Sequence, residues 1–227
     1  MAATSFLDLP LELRSEIYSY SLVCNDAIPL TWPQFHGKPS DRQKLFLSPQ
    51  ILSLNKQIRH EAAQYLYGKN RFSTYSDSSL SFFLREIGPI NASMIQHLRF
   101  SFPSFRYDAH TGMTLAKNCG FFAILDVLGE KCPSMALLEI SVSSSRHLED
   151  HLGFNIRVKK RLDLVDEALD TIDEKFKTLP SLRRVTVDVP EVPLNAHVRE
   201  RMRRYEWTIN PVFWDEEEWQ AFYLEQE

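Results

Sequence analysis

The sequence predicts a protein of the α+β or α/β class, with a small helical N-terminal region followed by irregular helix-strand units that build a parallel sheet. Three short segments repeat one apolar pattern that is typical of strands, and a helical stretch precedes each of them. The chain has 227 residues, of which 44% are hydrophobic, enough for one sizeable core or for a small lobe attached to a larger one. We divide it into residues 1–70, the helical region; 71–190, the helix-strand region; and 191–227, a C-terminal cap segment.

The first predicted element is a helix from Leu9 to Leu22. Pro10 fits its first turn, where the N–H that proline lacks would have no partner. Leu9, Leu13 and Ile17 follow one another at i, i+4 and i+8, and this apolar stripe predicts an amphipathic helix. The polar residues that we expect to face away from the stripe are Arg14, Ser15 and Glu16.

A connection and a second helix complete the N-terminal region. Residues from about 25 to 44 include three prolines and a glycine, and they are predicted to form an irregular insertion. Helical periodicity resumes at Ser48 and continues to a stop at Gly68. Phe72 and Thr74 are expected to add a strand at the start of the helix-strand region.

The repeated apolar pattern defines three further strands. Its apolar positions are Ile95, Leu98, Phe100 and Phe102, then Met135, Leu138, Ile140 and Val142, then Leu182, Val185, Val187 and Val189. The helices predicted before them are Leu80 to Ile87, Leu115 to Leu128 and Val165 to Phe176. Because strands joined by crossover helices are parallel, this weak internal repeat predicts a parallel sheet.

Polar residues alternate with the apolar ones in these strands. Parallel strands that are buried on both faces read as continuous apolar runs, so the alternation predicts a curved, solenoid-like sheet with helices on one face and water or a partner on the other. The residues predicted to line that partner-binding face are Arg99, Ser101, Glu139, Ser141, Thr186 and Asp188. The alternative is an ordinary α/β sandwich with one poorly covered face.

No catalytic or metal-binding constellation is found in the sequence. His147 and His151 could share one helix face, but a zinc ion needs three or four ligands. The chain also lacks the Gly-x-Ser-x-Gly elbow of many hydrolases. We therefore predict a protein that is not an enzyme and that needs neither a metal nor another cofactor.

Charge and composition restrict the partners and the compartment. A net charge of −4 argues against nucleic acid, and the basic clusters at 157–161 and 199–204 lack the interleaved aromatics of a single-strand platform. No apolar stretch approaches the roughly 20 residues of a membrane span. Cys24, Cys119 and Cys132 show no disulfide framework and no signal peptide precedes them, which favours the cytoplasm or the nucleus.

Two segments of the N-terminal half carry a resemblance to a known family. Leu-Pro-Leu-Glu-Leu-Arg-Ser-Glu-Ile, residues 9–17, resembles the opening of an F-box, and Tyr-Leu-Tyr-Gly-Lys-Asn-Arg-Phe, residues 65–72, makes the resemblance more specific. With residues 51–62 between them, they resemble a family of fungal F-box-like proteins over roughly residues 5–102. The later helix-strand units are similar to a degenerate leucine-rich-repeat region. The box departs from its usual form, because the irregular insertion interrupts it and the usual Trp near its end is missing.

The resemblance implies a protein-interaction module of a cullin-type ubiquitin ligase. F-box proteins dock a Skp-type adaptor through the box, and their C-terminal domain presents a protein substrate. Carried over to this chain, the resemblance implies that Leu9, Pro10, Leu13 and Ile17 bind the adaptor, with the apolar stripe filling a groove. The alternative is that the stripe packs inward on the second helix.

Two other hypotheses remain, and the first of them keeps the predicted fold. The first is a non-ligase scaffold or nuclear binding module that uses the sheet face or the arginine clusters. The second is a hydrolase, which would need convergent polar residues that the sequence does not show. The substrate of the ligase hypothesis is an unknown protein.

Overall fold

A computed structural model describes residues 5–30, 47–74, 76–103, 105–108, 112–115, 120–141, 162–189 and 196–211. Within them the chain has an α/β fold, in which a six-stranded, all-parallel sheet alternates with six α-helices. The strands of this sheet are β1 (Ile28–Pro29), β2 (Phe72–Thr74), β3 (His97–Ser101), β6 (Leu137–Ser141), β7 (Arg184–Val189) and β8 (Thr208–Pro211). An antiparallel hairpin consists of β4 (Phe105–Asp108) and β5 (Gly112–Leu115). The helices are α1 (Leu11–Leu22), α2 (Lys56–Gly68), α3 (Asp77–Ala92), α4 (Phe121–Lys131), α5 (Leu162–Phe176) and α6 (Ala196–Arg204).

The strands of the sheet follow one another in chain order, β1-β2-β3-β6-β7-β8. Each parallel step needs a crossover from the end of one strand back to the start of the next, and helices α2 to α6 provide these crossovers. Neighbouring helices also contact one another in chain order, from α1 to α6. The helices therefore form one layer that runs beside the sheet, as the alternation of the strands predicted.

The strands alternate between buried and part-exposed residues. In β3, Leu98 and Phe100 are buried, whereas Arg99 and Ser101 are part-exposed. Strand β6 has the same alternation. A period of two places successive side chains on opposite faces of the sheet, so the apolar residues of both strands share one face.

Aromatic side chains connect the sheet to the helix layer. The ring centroids of Phe100 and Phe121 are 5.2 Å apart, those of Phe121 and Phe176 are 6.0 Å apart, and those of Phe176 and Trp207 are 5.3 Å apart. Offset and edge contacts at these separations are the favourable arrangements of aromatic pairs. This series runs from β3 through α4 and α5 to the residue before β8, and it joins successive helix-strand units into one core.

The helix predicted from Ser48 to Gly68 consists of two elements. Residues Pro49–Ser53 form a 3-10 helix, and α2 begins only after Asn55. The side-chain oxygen of Asn55 accepts the backbone N–H of Ile58 at 2.8 Å, which is the bond of a helix N-cap. The prediction of one continuous helix was therefore wrong, because apolar periodicity continues across the cap.

The fourth predicted helix, Leu115 to Leu128, also begins later than expected. Leu115 was predicted to start it, but this residue ends β5, and α4 runs from Phe121 to Lys131. The β4–β5 hairpin was not predicted. Helix α5, from Leu162 to Phe176, contains the predicted Val165–Phe176 helix.

The sheet extends beyond residues 71–190 at both ends. Strand β1 comes from the segment predicted to be an irregular insertion, and α6 and β8 come from the segment predicted to be a C-terminal cap. Val198, Met202 and Trp207 are buried, so residues 196–211 form one more helix-strand unit with its own share of the core. Residues 212–227 and Val142 lie outside the described residues.

Asn70 joins the N-terminal helices to the sheet. Its amide nitrogen donates to the carbonyls of Leu22 at 2.6 Å and of Leu66 at 2.9 Å, and its amide oxygen accepts the backbone N–H of Cys24 at 2.7 Å. The carbonyls at the end of a helix have no partner within it, so these bonds complete the ends of α1 and α2. Because Asn70 is buried and lies two residues before β2, one side chain fixes both helix ends beside the sheet.

The backbone at Gly88 provides a test of this fold. Gly88 interrupts α3 with φ 78° and ψ 167°, in a region that only glycine adopts readily. We expect Gly88→Ala to lower the free energy of unfolding by about 1–3 kcal/mol, although its Cβ would meet no atom within 4 Å. Urea titration measures this change.

Gly129→Ala in α4 is the matched control. The added Cβ would lie 3.5 Å from Leu179, an ordinary contact, in a helix where alanine is favoured over glycine. We expect this variant to be stabilised by about 0.5–1 kcal/mol. Equal stability of the two alanine variants would contradict the assigned backbone conformation of Gly88.

Candidate functional site

Helix α1 turns its apolar stripe outward. Leu13 and Ile17 are 46% and 37% exposed, and Tyr20, on the same side one turn further along, is 87% exposed. The stripe therefore does not pack inward on the second helix. Neighbouring large apolar side chains that remain in water are typical of a surface that binds a partner.

The opposite side of α1 is buried and begins with a charged residue. Arg14 faces away from the stripe as predicted, and because the stripe is exposed, this side chain is buried. Its Nε and Nη2 atoms each lie 2.9 Å from a carboxylate oxygen of Glu61 in α2. The Tyr18 hydroxyl donates to the same carboxylate at 2.9 Å, and Leu22 completes the buried side.

This contact fixes the ionisation of its members. Hydrogen bonds from Arg14 lower the pKa of Glu61 to about 2, against the opposing effect of burial. Burial and the hydrogen bond to Glu61 raise the pKa of Tyr18 to about 12. At neutral pH the carboxylate of Glu61 is therefore charged and the phenol of Tyr18 is protonated, so the contact holds α1 in one rotation about its axis.

Two of the four predicted docking residues precede the helix. Helix α1 begins at Leu11, and Pro10 is its N-cap, with φ −51° and ψ 149°. The carbonyl of Leu9 accepts a hydrogen bond from Arg14 Nη1 at 2.6 Å, so the chain before the helix is anchored to the same guanidinium. The side chain of Leu9 is part-exposed and that of Pro10 is exposed.

The sheet register brings the six predicted face residues together in two rows. Each residue is a direct cross-strand neighbour of the next, and the rows are Arg99-Glu139-Thr186 and Ser101-Ser141-Asp188. Strand β8 extends them with Thr208 and Asn210. The structure thus places all six residues on one continuous polar surface, which we call the polar sheet face.

Glu139 lies at the centre of one cluster on the polar sheet face. Arg71 Nη1 is 3.1 Å from both of its carboxylate oxygens, and His97 Nε2 is 3.0 Å from Oε1. Burial acts to raise the pKa of Glu139, but the hydrogen bonds and charges of His97 and Arg71 outweigh it and lower the pKa to about 2. Glu139 is therefore ionised, and it links β6 to its neighbour β3 through His97 and to the residue before β2 through Arg71.

Asp188 is the buried acceptor of a second cluster on the same face. Arg99 Nη2 lies 3.0 Å from one oxygen, and Asn210 Nδ2 donates to the other at 2.9 Å. Since both carboxylates of the face pair with Arg71 and Arg99, these charges are compensated, and a ligand would meet mainly hydrogen-bonding groups such as the hydroxyls of the serines and threonines.

Three members of these clusters were not predicted from the sequence. His97 lies two residues before Arg99 in β3, so the alternation of side chains along this strand could have predicted that both lie on the polar sheet face. Arg71 precedes a strand of only three residues, and Asn210 belongs to a strand that the sequence did not predict. Their place on the face follows from the strand pairing.

The arginines of α6 are tied to acidic residues. Arg201 lies 2.7 Å from Asp170 and 3.1 Å from Asp166, both in α5. Arg204 pairs with Glu200 at 3.5 Å. Part of the positive charge in the 199–204 cluster is thereby compensated, which weakens it as a surface for phosphate backbones.

The described ranges contain no group of three His, Cys, Asp or Glu side chains that could hold a metal ion. No helix in the described part of the chain is long and apolar enough to cross a membrane. His147, His151, Cys119 and the basic cluster at 157–161 lie outside the described residues.

Comparisons of the chain with protein-family models, with curated proteins and with solved structures gave no significant match. The apolar stripe of α1 and the polar sheet face are the two surfaces on which the proposed function rests.

Glu61→Gln tests the contact that orients α1. The variant leaves the buried Arg14 guanidinium without its countercharge, so we expect the free energy of unfolding to fall by about 1–3 kcal/mol. Urea denaturation at neutral pH measures the loss. Glu16→Gln, at an exposed position of α1, is the control and should change stability little. If Glu61→Gln and Glu16→Gln are equally stable, the Arg14–Glu61 pair does not stabilise the packing of α1.

Glu139→Gln tests the ionic cluster of the polar sheet face through pH. Because the pKa of Glu139 is lowered in the folded protein to about 2, its contribution to stability is present above the unfolded pKa, roughly 4.3, and is lost as the pH falls towards 2. The difference in melting temperature between wild type and variant should therefore shrink over that interval. Glu130→Gln, at an exposed position of α4, serves as the control. A difference in melting temperature between wild type and Glu139→Gln that stays constant down to the lowest pH would contradict a stabilising role of the ionised Glu139.

Proposed function

We propose that this chain is an F-box-like protein-interaction module that acts as a substrate receptor of a cullin-type ubiquitin ligase. In this proposal, Leu9, Pro10, Leu13 and Ile17 bind a Skp-type adaptor, and the polar sheet face binds an unknown protein substrate. The chain itself catalyses no reaction and needs no cofactor, since the catalysis belongs to its partners.

The observation that carries the proposal is the outward-facing stripe of α1. Leu13 and Ile17 are exposed on a helix that the Arg14–Glu61 contact attaches firmly to α2. A helix held in one orientation loses little conformational freedom on binding, which reduces the entropic cost of docking. An exposed apolar stripe on a rigid helix suits insertion into an apolar groove of a partner.

The architecture after residue 70 supports the receptor half of the proposal. Successive helix-strand units add in one direction, with the helices in one layer, as in an irregular leucine-rich-repeat-like array. Such arrays present the strand face to partners. Here that face carries two guanidinium groups and several hydroxyls, which suit a polar protein surface.

The polar sheet face also favours a second candidate, a non-ligase scaffold. This face is built from strands alone, so it could bind a partner without any contribution from the stripe of α1. The version of this hypothesis that relies on the C-terminal arginines is weaker, because Arg201 and Arg204 pair with acidic residues. Both candidates place the protein in the cytoplasm or the nucleus, where cysteines such as Cys24 and Cys132 stay reduced.

Binding to a purified Skp-type adaptor tests the proposal. We expect wild type to bind, and the double variant Leu13→Ala with Ile17→Ala to bind about tenfold more weakly or worse, because truncating two central apolar residues costs more than about 1 kcal/mol each. Biolayer interferometry measures the affinity, and circular dichroism checks that the variant is folded.

Two control variants and the wild-type result distinguish the ligase proposal from the scaffold candidate. Glu16→Ala changes an exposed polar residue of α1, and Arg99→Ala changes the polar sheet face; neither should weaken adaptor binding. If wild type does not bind the adaptor, the ligase proposal fails and the scaffold candidate is preferred. Equal binding by the double variant would remove the stripe as the docking element.

A further inference from the structure

A separate groove lies between α2 and the end of α3. Its volume is about 460 Å³, which falls within the range of ligand-binding clefts. It involves neither the stripe of α1 nor the polar sheet face. The residues that line it are Lys56, Arg59, His60, Ala63, Ile87, Gly88, Pro89, Ile90, Asn91 and Met94.

The interruption of α3 at Gly88 forms one wall of the groove. The Gly88 backbone leaves the helical region, and Pro89 then begins another turn. Asn91 Nδ2 donates to the carbonyl of Ile87 at 2.8 Å, which satisfies a carbonyl beside the break. The result is an ordered apolar wall that ends in Ile90, a residue 70% exposed.

The other wall is basic. Lys56, Arg59 and His60 are exposed on one side of α2, above the buried Ala63. Lys56 is the first residue of the helix, where the helix dipole adds to its positive charge. Arg59 is positioned by a hydrogen bond from its Nε to the carbonyl of Leu52 at 2.9 Å. The lining of the groove contains no carboxylate, so its charge is uncompensated from within.

We propose that this groove binds an acidic peptide segment of a protein partner, with one large apolar side chain held against Ile87, Pro89 and Met94. Carboxylates of the segment would pair with Lys56 and Arg59, and its apolar anchor would cover the exposed Ile90. The inference rests on charge complementarity between the basic wall of the groove and an acidic segment, with the apolar wall across the same groove available to the apolar anchor of that segment. It is independent of adaptor docking by α1.

The geometry favours a peptide over two other anionic partners. Nucleic acid gains affinity from many phosphate contacts along an extended basic surface, whereas here the cations line one short wall. A membrane surface binds a broad amphipathic face, whereas here the apolar contact is recessed between two helices. A side chain that projects from a peptide fits such a recess.

Fluorescence anisotropy with the full chain tests the proposal. The probe is a fluorescein-labelled amphipathic peptide composed only of Glu, Leu and Trp, and the comparison probe has Gln in place of every Glu. We expect the acidic probe to bind at least about tenfold more tightly, and Lys56→Glu with Arg59→Glu to remove this preference. The control Lys69→Glu reverses an exposed charge that does not line the groove, and it should retain the preference.

The apolar wall is tested with a matched pair. Ile90→Ser should weaken binding of the acidic probe severalfold, whereas Leu54→Ser, which changes a residue 66% exposed outside the groove, should not. No difference between the two peptides, or equal losses in Ile90→Ser and Leu54→Ser, would overturn the proposal. Tighter, groove-dependent binding to phosphatidylserine vesicles or to single-stranded DNA would overturn it in favour of those partners. Because adaptor binding does not enter this assay, its outcome is separate from that of the ligase proposal.

Discussion

Parallel pairing between successive strands is the constraint on which the rest of this structure depends. A strand can pair in parallel with the preceding strand only after a crossover connection. In this sheet each new strand is added on the same side of the previous one, and crossover connections are right-handed, so every crossover helix lies on the same face of the sheet. The apolar residues of each strand, such as Leu98 and Phe100, then meet the helices. Within the described residues the opposite face receives no crossover helix, which is why Arg99, Glu139 and Thr186 can form a polar row.

Directed polar contacts position the N-terminal helices, which also contribute apolar side chains such as Tyr18, Leu22 and Leu66 to the core. Asn70 bonds to the ends of α1 and α2, and Glu61 receives both Arg14 and Tyr18. Apolar burial is non-directional and would tolerate several rotations of a helix as mixed in polarity as α1. Here one rotation is selected, because any other would break the bonds of Arg14 and Tyr18 to Glu61 and expose the fully buried Tyr18 and Leu22. The exposure of Leu13 and Ile17 is therefore a consequence of where Arg14 must lie.

Three surfaces with different chemistry result from this arrangement. The stripe of α1 is apolar, the polar sheet face offers guanidinium and hydroxyl groups, and the groove beside Gly88 combines a basic wall with an apolar one. They are built from different elements, so occupation of one does not require a change in another. Separate binding surfaces on one scaffold suit a protein that brings partners together.

The sequence by itself determined the alternation of helices with parallel strands between residues 71 and 190 and the faces of the central strands, because this alternation is present in neighbouring residues such as Arg99 and Phe100. It also identified the polar sheet face. Only the tertiary structure decided the rotation of α1, since the partner of Arg14 lies 47 residues away in α2. It likewise decided the sixth strand, β8, because a strand of four residues forms by pairing with the edge of β7 rather than through local periodicity. Alternation along a strand could therefore be predicted from adjacent residues, whereas the rotation of α1 and the pairing of β8 depended on distant partners and could not.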